Sequence, residues 1–138
     1  MNTLTILILI AGLLHFGVLI ASALVPQVLD WRSELARVSP LTRQLVWTHG
    51  LFIVLTIIAF GILSIVNAST LASGDFLARS LCGFIAIFWG ARLALQYTWF
   101  DARPYLTTPV LRLGYHGLTF VFAYFSAVYG WAALRPAI

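Results

Sequence analysis

Lysine is absent from this 138-residue chain, and carboxylates number only four: Asp30, Glu34, Asp75 and Asp101. With eight arginines added, charged residues reach 9% of the sequence, against about 25% in an ordinary soluble domain. So few charges cannot wet the surface of a globule this size. The shortage excludes a water-soluble enzyme, a disordered chain and a nucleic-acid-binding module. Cysteine occurs once, as Cys82 within an apolar run, which excludes an internal disulfide and a multi-cysteine metal site. No Asp or Glu falls in the middle of a long apolar stretch, so the intramembrane carboxylate relay of many proton-coupled transporters is missing.

What is present is apolar sequence, with 62% hydrophobic residues and a mean hydropathy of +0.99. Crossing roughly 30 Å of hydrocarbon takes about 20 apolar residues in a helix. Four stretches qualify: residues 4–25, stopping at Pro26; about 45–66, ended by the polar run from Asn67 to Thr70; about 80–99; and about 110–134, closed by Arg135-Pro136. None shows the period-two alternation of a barrel strand. The predicted fold is therefore an all-α integral membrane protein, a four-transmembrane-helix bundle forming one domain over residues 1–138. The triplet Ala21-Ser22-Ala23 looks like a signal-peptidase site, but the N-terminus carries no basic residue and the apolar run is long for a signal. The first span is expected to be retained. Asn67-Ala68-Ser69 fits the glycosylation pattern and lies too close to the membrane edge to carry weight.

Arginine placement sets the expected orientation. Arg32, Arg37, Arg43, Arg103 and Arg112 flank the two loops on one side; Arg79 and Arg135 lie on the other, and Arg92 is within a span. This predicts an inner (cytoplasmic) membrane protein with both Arg-rich loops cytoplasmic and both termini periplasmic. Trp31, Trp47, Trp99 and Tyr105 fall near the cytoplasmic boundary as an aromatic belt. Residues 30–39 form a short amphipathic stretch suited to the interface plane.

The chain also shows an internal repeat. Asp30-x-Arg32, Pro40-x-x-Arg43 and His49-Gly50-Leu51 recur in the same order as Asp101-x-Arg103, Pro109-x-x-Arg112 and His116-Gly117-Leu118. Each half, about 4–66 and about 80–134, is a helical hairpin with the same direction, so the predicted architecture is a parallel repeat about an axis along the membrane normal. His49 and His116 then lie at equal depth, roughly 8–12 Å inside the cytoplasmic boundary at helical rise. The paired Asp-x-Arg motifs are expected to make interfacial ion pairs.

Ionisable side chains inside a bilayer are costly and usually face the bundle interior. His49 and His116 are the sharpest pair, because neutral imidazole is a good axial ligand to haem iron and helix bundles build such sites from facing helices. The competing reading makes each a hydrogen-bonder to a neighbouring helix. Arg92, with Gln96 one turn on, suits a haem propionate, a quinone carbonyl or a lipid phosphate; the alternative is snorkelling to the headgroups. Tyr115 completes the candidate cofactor-binding set of His49, His116, Arg92, Gln96 and Tyr115. His15, deep in the first span and unmatched in the repeat, reads as an interhelical hydrogen-bonder.

Size and span number resemble those of small membrane protoporphyrinogen oxidases and of cytochrome b modules with four-helix cores. Motifs specific to either are absent, and likeness of fold does not establish function. The expected function is a b-type haem (His49 and His116 on the iron) or quinone-linked electron-transfer module. The alternative is a cofactor-free accessory subunit of a larger membrane complex; a small transporter or membrane enzyme ranks below both. Expected partners are the lipid bilayer and other membrane subunits or further copies of the chain, with no nucleic acid.

Overall fold

Helix starts follow from residues that satisfy the first free amides. The side chain of Asn2 accepts from the Thr5 amide at 2.8 Å, that of Ser39 from Thr42 at 3.3 Å, and that of Thr108 from Leu111 at 3.2 Å. Pro40 and Pro109 follow the last two caps directly, in the one turn where a missing N–H removes no helical bond. In the computed structural model, which describes residues 2–135, four long helices result: α1 (Thr3–Val28), α3 (Pro40–Val66), α5 (Phe76–Thr98) and α6 (Pro109–Leu134). Two single-turn helices, α2 (Trp31–Glu34) and α4 (Ala68–Leu71), lie in the first two connections. Tight 3-10 turns occupy Leu35–Arg37 and Arg103–Tyr105. There is no strand among the described residues.

The four long helices are those expected, with shifted ends. Pro26 does not stop α1, which runs on to Val28. A proline in the last turn forfeits a single helical bond, and the Leu29 and Asp30 amides close the end onto the Val25 and Gln27 carbonyls. Asp30 then turns the chain with φ 51°. Helix α5 starts at Phe76, because Gly74 at φ 81° supplies the left-handed turn before it. At 1.5 Å per residue each long helix exceeds about 30 Å, enough to cross a bilayer. All four are long and apolar enough to cross a membrane, yet no more than 39% of any span is buried within the protein. Outer faces carry residues such as Leu13, Leu51 and Phe120, exposed by 64%, 68% and 74%. A soluble monomer rarely exposes so much apolar surface. It is the surface of a membrane-embedded bundle.

Packing follows the two hairpins: α1 lies along α3, and α5 along α6. Glycine brings α1 and α3 together. A Cβ on Gly12 would stand 2.8 Å from Ile65 Cγ1 and 3.1 Å from the Gly61 carbonyl oxygen, so only glycine fits this approach. Between hairpins the contacts are uneven. Helix α1 packs on α6, whereas α3 reaches α5 through the Phe60 ring, at 6.0 Å from Phe84 and 5.2 Å from Phe88.

Burial is concentrated at one end. Most buried residues come from the first half of α1, the second half of α3, the first half of α5 and the second half of α6, at the end carrying the termini and α4; Val18, Trp89 and Gln96 lie past the midpoints of α1 and α5. Polar contacts tie that end across helices. The Tyr124 hydroxyl donates to the Leu7 carbonyl at 2.8 Å, and the Arg79 Nε–H to the Ala133 carbonyl at 2.9 Å. Ser64 and Tyr129 share a hydroxyl–hydroxyl bond. The other end, with the Arg-rich loops, has Gln96 as the one buried side chain in the last two turns of α5, and burial is sparse there.

Candidate functional site

Toward the sparsely buried end, a cavity of about 320 Å³ lies between all four long helices. Ile57, Trp89 and Phe122 are among its walls, and Ser22 and Arg92 are its polar members. Trp89 lies face to face with Phe122 at 5.1 Å, so each ring covers one face of the other. Residues 85, 89, 92 and 96 of α5 form one helical stripe, so Ile85, Trp89, Arg92 and Gln96 pass in register from the sealed half into the open one.

Arg92 is the unusual group. Its guanidinium carbon sits 4.9 Å from the centroid of the Phe100 ring and 5.2 Å from that of Phe122, held between two π faces. Nη1 donates to Gln96 Oε1 at 3.5 Å, a long bond. The ion pair among the described residues is Asp101 with Arg103, so no carboxylate there balances Arg92. A cation beside an apolar cavity with one weak protein acceptor is costly. An acceptor entering the cavity would lower that cost. Gln96 is held by Thr119, to whose hydroxyl its amide donates, and Thr119 in turn donates to the Tyr115 carbonyl at 3.0 Å. Arg92 is thereby positioned by α6 through a relay of neutral groups.

Tyr115 and His116 line a second void, a groove of about 560 Å³ between the end of α5, the connection that follows and the start of α6. Tyr97, Phe100, Arg103 and Arg112 also line it. The structure thus gathers four of the five expected site residues on the α5–α6 side: Arg92 and Gln96 beside the cavity, Tyr115 and His116 in the adjoining groove. It does not bring His49 to them. His49 is exposed on α3, with Nδ1–H donating to the Leu45 carbonyl at 2.7 Å. It stands one turn before Ile53, a wall residue of the cavity, and is not itself among the lining residues. His49 and His116 line no common void.

His15 is fully buried below the cavity and fully used. Trp89 Nε1–H donates to His15 Nε2 at 2.9 Å, and because indole nitrogen is a donor only, Nδ1 carries the proton given to the Ala11 carbonyl at 2.7 Å. Phe125 stacks on the imidazole at 4.1 Å. Both ring nitrogens are engaged, so His15 has none to offer a ligand. It is the interhelical hydrogen-bonder that the sequence predicts. No cluster of three or more His, Cys, Asp or Glu side chains suited to a metal occurs among the described residues.

Trp89, Phe100, Phe122 and Ser22 were not legible as site residues. A helical-period search from Arg92 finds Trp89 at minus three; the other three come from different elements and needed the fold. At the loop, Arg103 hydrogen-bonds Asp101 with Nε and Nη2 at 3.0 and 3.3 Å. These bonds hold the carboxyl below the usual carboxylate range.

No protein-family model matches the chain, and no curated protein or solved structure is significantly similar to it. The geometry defines its class instead: a membrane-embedded four-helix bundle, sealed at one end and open at the other onto a cavity with an unbalanced arginine.

Proposed function

We propose that this chain is a small membrane protein of electron transfer that holds the ring headgroup of a quinone-type carrier in the four-helix cavity. The observation that carries the reading is Arg92, a guanidinium without a carboxylate partner beside a mostly apolar cavity. A quinone supplies what is missing: an apolar ring to fill the space between the helices, and a carbonyl to accept from Arg92. A volume near 320 Å³ lies at the low end for ligand pockets and suits one or two rings. Haem b on His49 and His116 gains less support, since His116 lines the groove and His49 lines neither void.

The same proposal includes orientation and ancestry. The open, Arg-rich end faces the cytoplasm of an inner membrane, and the two hairpins derive from one duplicated unit. Matching Ser39-Pro40 and Thr108-Pro109 helix starts and a 3-10 turn in each Arg-rich loop support the duplication; the uneven contacts between hairpins mark its divergence.

The test is titration of the detergent-purified chain with a short-tailed ubiquinone analogue, followed by tryptophan quenching. Trp89→Phe should remove most of the saturable quenching. Arg92→Leu should weaken binding about tenfold or more, the loss expected when a hydrogen bond from a charged donor is removed. Equal affinity in wild type and Arg92→Leu would overturn the reading. A Soret band in the purified protein would replace it with the bis-histidine haem. A protein that binds neither, and co-purifies with a fixed partner chain, is the accessory subunit.

A further inference from the structure

The groove at the start of α6 has a character different from the cavity. Two arginines and a histidine line it, with the hydroxyl-bearing rings of Tyr97 and Tyr115. Asp101 is its one acid and is engaged by Arg103 through two bonds. Arg112 makes no ion pair among the described residues, and it stands one turn before His116 on the same face of α6. The groove therefore keeps a net positive charge and donors unused by the protein.

Its position adds a second constraint. It lies where α5 ends at Thr98 and α6 begins at Pro109, the level at which a bilayer changes from headgroup to hydrocarbon. Trp99 and Tyr97, exposed by 78% and 72%, flank it as interfacial aromatics, and Val110 and Leu113, exposed by 77% and 75%, continue the surface in apolar side chains. A ligand there has to be anionic at one end and apolar at the other.

We propose that this groove binds the headgroup of an anionic phospholipid, with Arg112, His116 and Arg103 around the phosphate and the acyl chains lying along the outer faces of α5 and α6. Basic pockets between membrane helices take anionic lipids in this way. The site is separate from the central cavity and does not depend on what fills it. By its place beside Phe100, which stacks on Arg92 and also lines the groove, a bound lipid would brace one wall of the cavity.

Native mass spectrometry of the full chain in detergent, titrated with dioleoyl phosphatidylglycerol or dioleoyl phosphatidylcholine, tests this. Phosphatidylglycerol should be retained at least about fivefold more tightly than phosphatidylcholine. Arg112→Gln should cost about fivefold, the equivalent of about 1 kcal/mol for one arginine at a lipid surface, and Arg112→Lys should restore much of it. Arg32→Gln combined with Arg37→Gln removes two exposed charges from the other loop and should leave retention unchanged. Far-UV circular dichroism checks that each variant keeps its helices. Equal retention of the two lipids, or equal loss in the control variant, would overturn the proposal. So would displacement of the lipid by millimolar inorganic phosphate, which would make free phosphate the ligand.

Discussion

Replacing Trp89 by Phe removes one N–H and leaves His15 Nε2, in a fully buried site, without its donor. That nitrogen has no ready substitute: Nδ1 is committed to the Ala11 carbonyl, and the hydroxyl of Tyr129, whose ring centroid lies 5.9 Å away, is bonded to that of Ser64. An unsatisfied buried acceptor costs about 1–3 kcal/mol. Interhelical hydrogen bonds in bilayers average nearer 0.6 kcal/mol, with a maximum of about 1.7, because helices separated in the membrane find other partners. Both partners here are all but completely buried, so the coupling should fall near the upper value. His15→Phe keeps a ring for the stack on Phe125 and strands the indole N–H instead. The double variant strands nothing. In a double-mutant cycle of SDS-driven unfolding in mixed micelles, followed by circular dichroism, each single substitution should cost about 1–3 kcal/mol. The pair should then cost about 1–2 kcal/mol less than their sum. Additivity within about 0.5 kcal/mol would refute the view that this bond joins the hairpins.

Other outcomes follow from the same geometry. Gly12→Ala should destabilise by about 1–3 kcal/mol, since its Cβ would press on the α3 backbone, while Gly17→Ala, which meets nothing within 4 Å, should be neutral or stabilise by up to about 1 kcal/mol; the same unfolding assay compares them. In a Cys82→Ala background, an impermeant maleimide applied to intact cells should label Thr70→Cys and spare Ser33→Cys; the reverse pattern would invert the proposed orientation. Asp101 titrates low because Arg103 favours its charged form, so the ordered turn is present above the ordinary carboxylate range and is lost as pH falls through the lowered value. Arg103→Gln should raise the Asp101 midpoint toward that range, measured by carboxyl-carbon NMR.

Composition and periodicity alone determined that four helices exist, roughly where they lie, and that they belong in a membrane. Those features depend on local runs of about 20 residues and on caps such as Ser39-Pro40, which act on neighbours in the chain. The pairing of Arg92 with Gln96 was equally legible, because a helix places residues four apart on one face. Only the tertiary structure decided that the bundle is sealed at one end and open at the other. That asymmetry comes from Gly12 and Gly61 letting α1 approach α3, and from links such as Ser64 with Tyr129, 65 positions apart. His49 shows the difference most plainly. Its spacing from Pro40 matches that of His116 from Pro109 to within two residues, yet two residues are over half a helical turn, and that rotation, together with the unequal contacts between hairpins, sends the two imidazoles to different surfaces. Depth along a helix is written in the sequence. The direction a side chain faces across a bundle depends on how the helices meet.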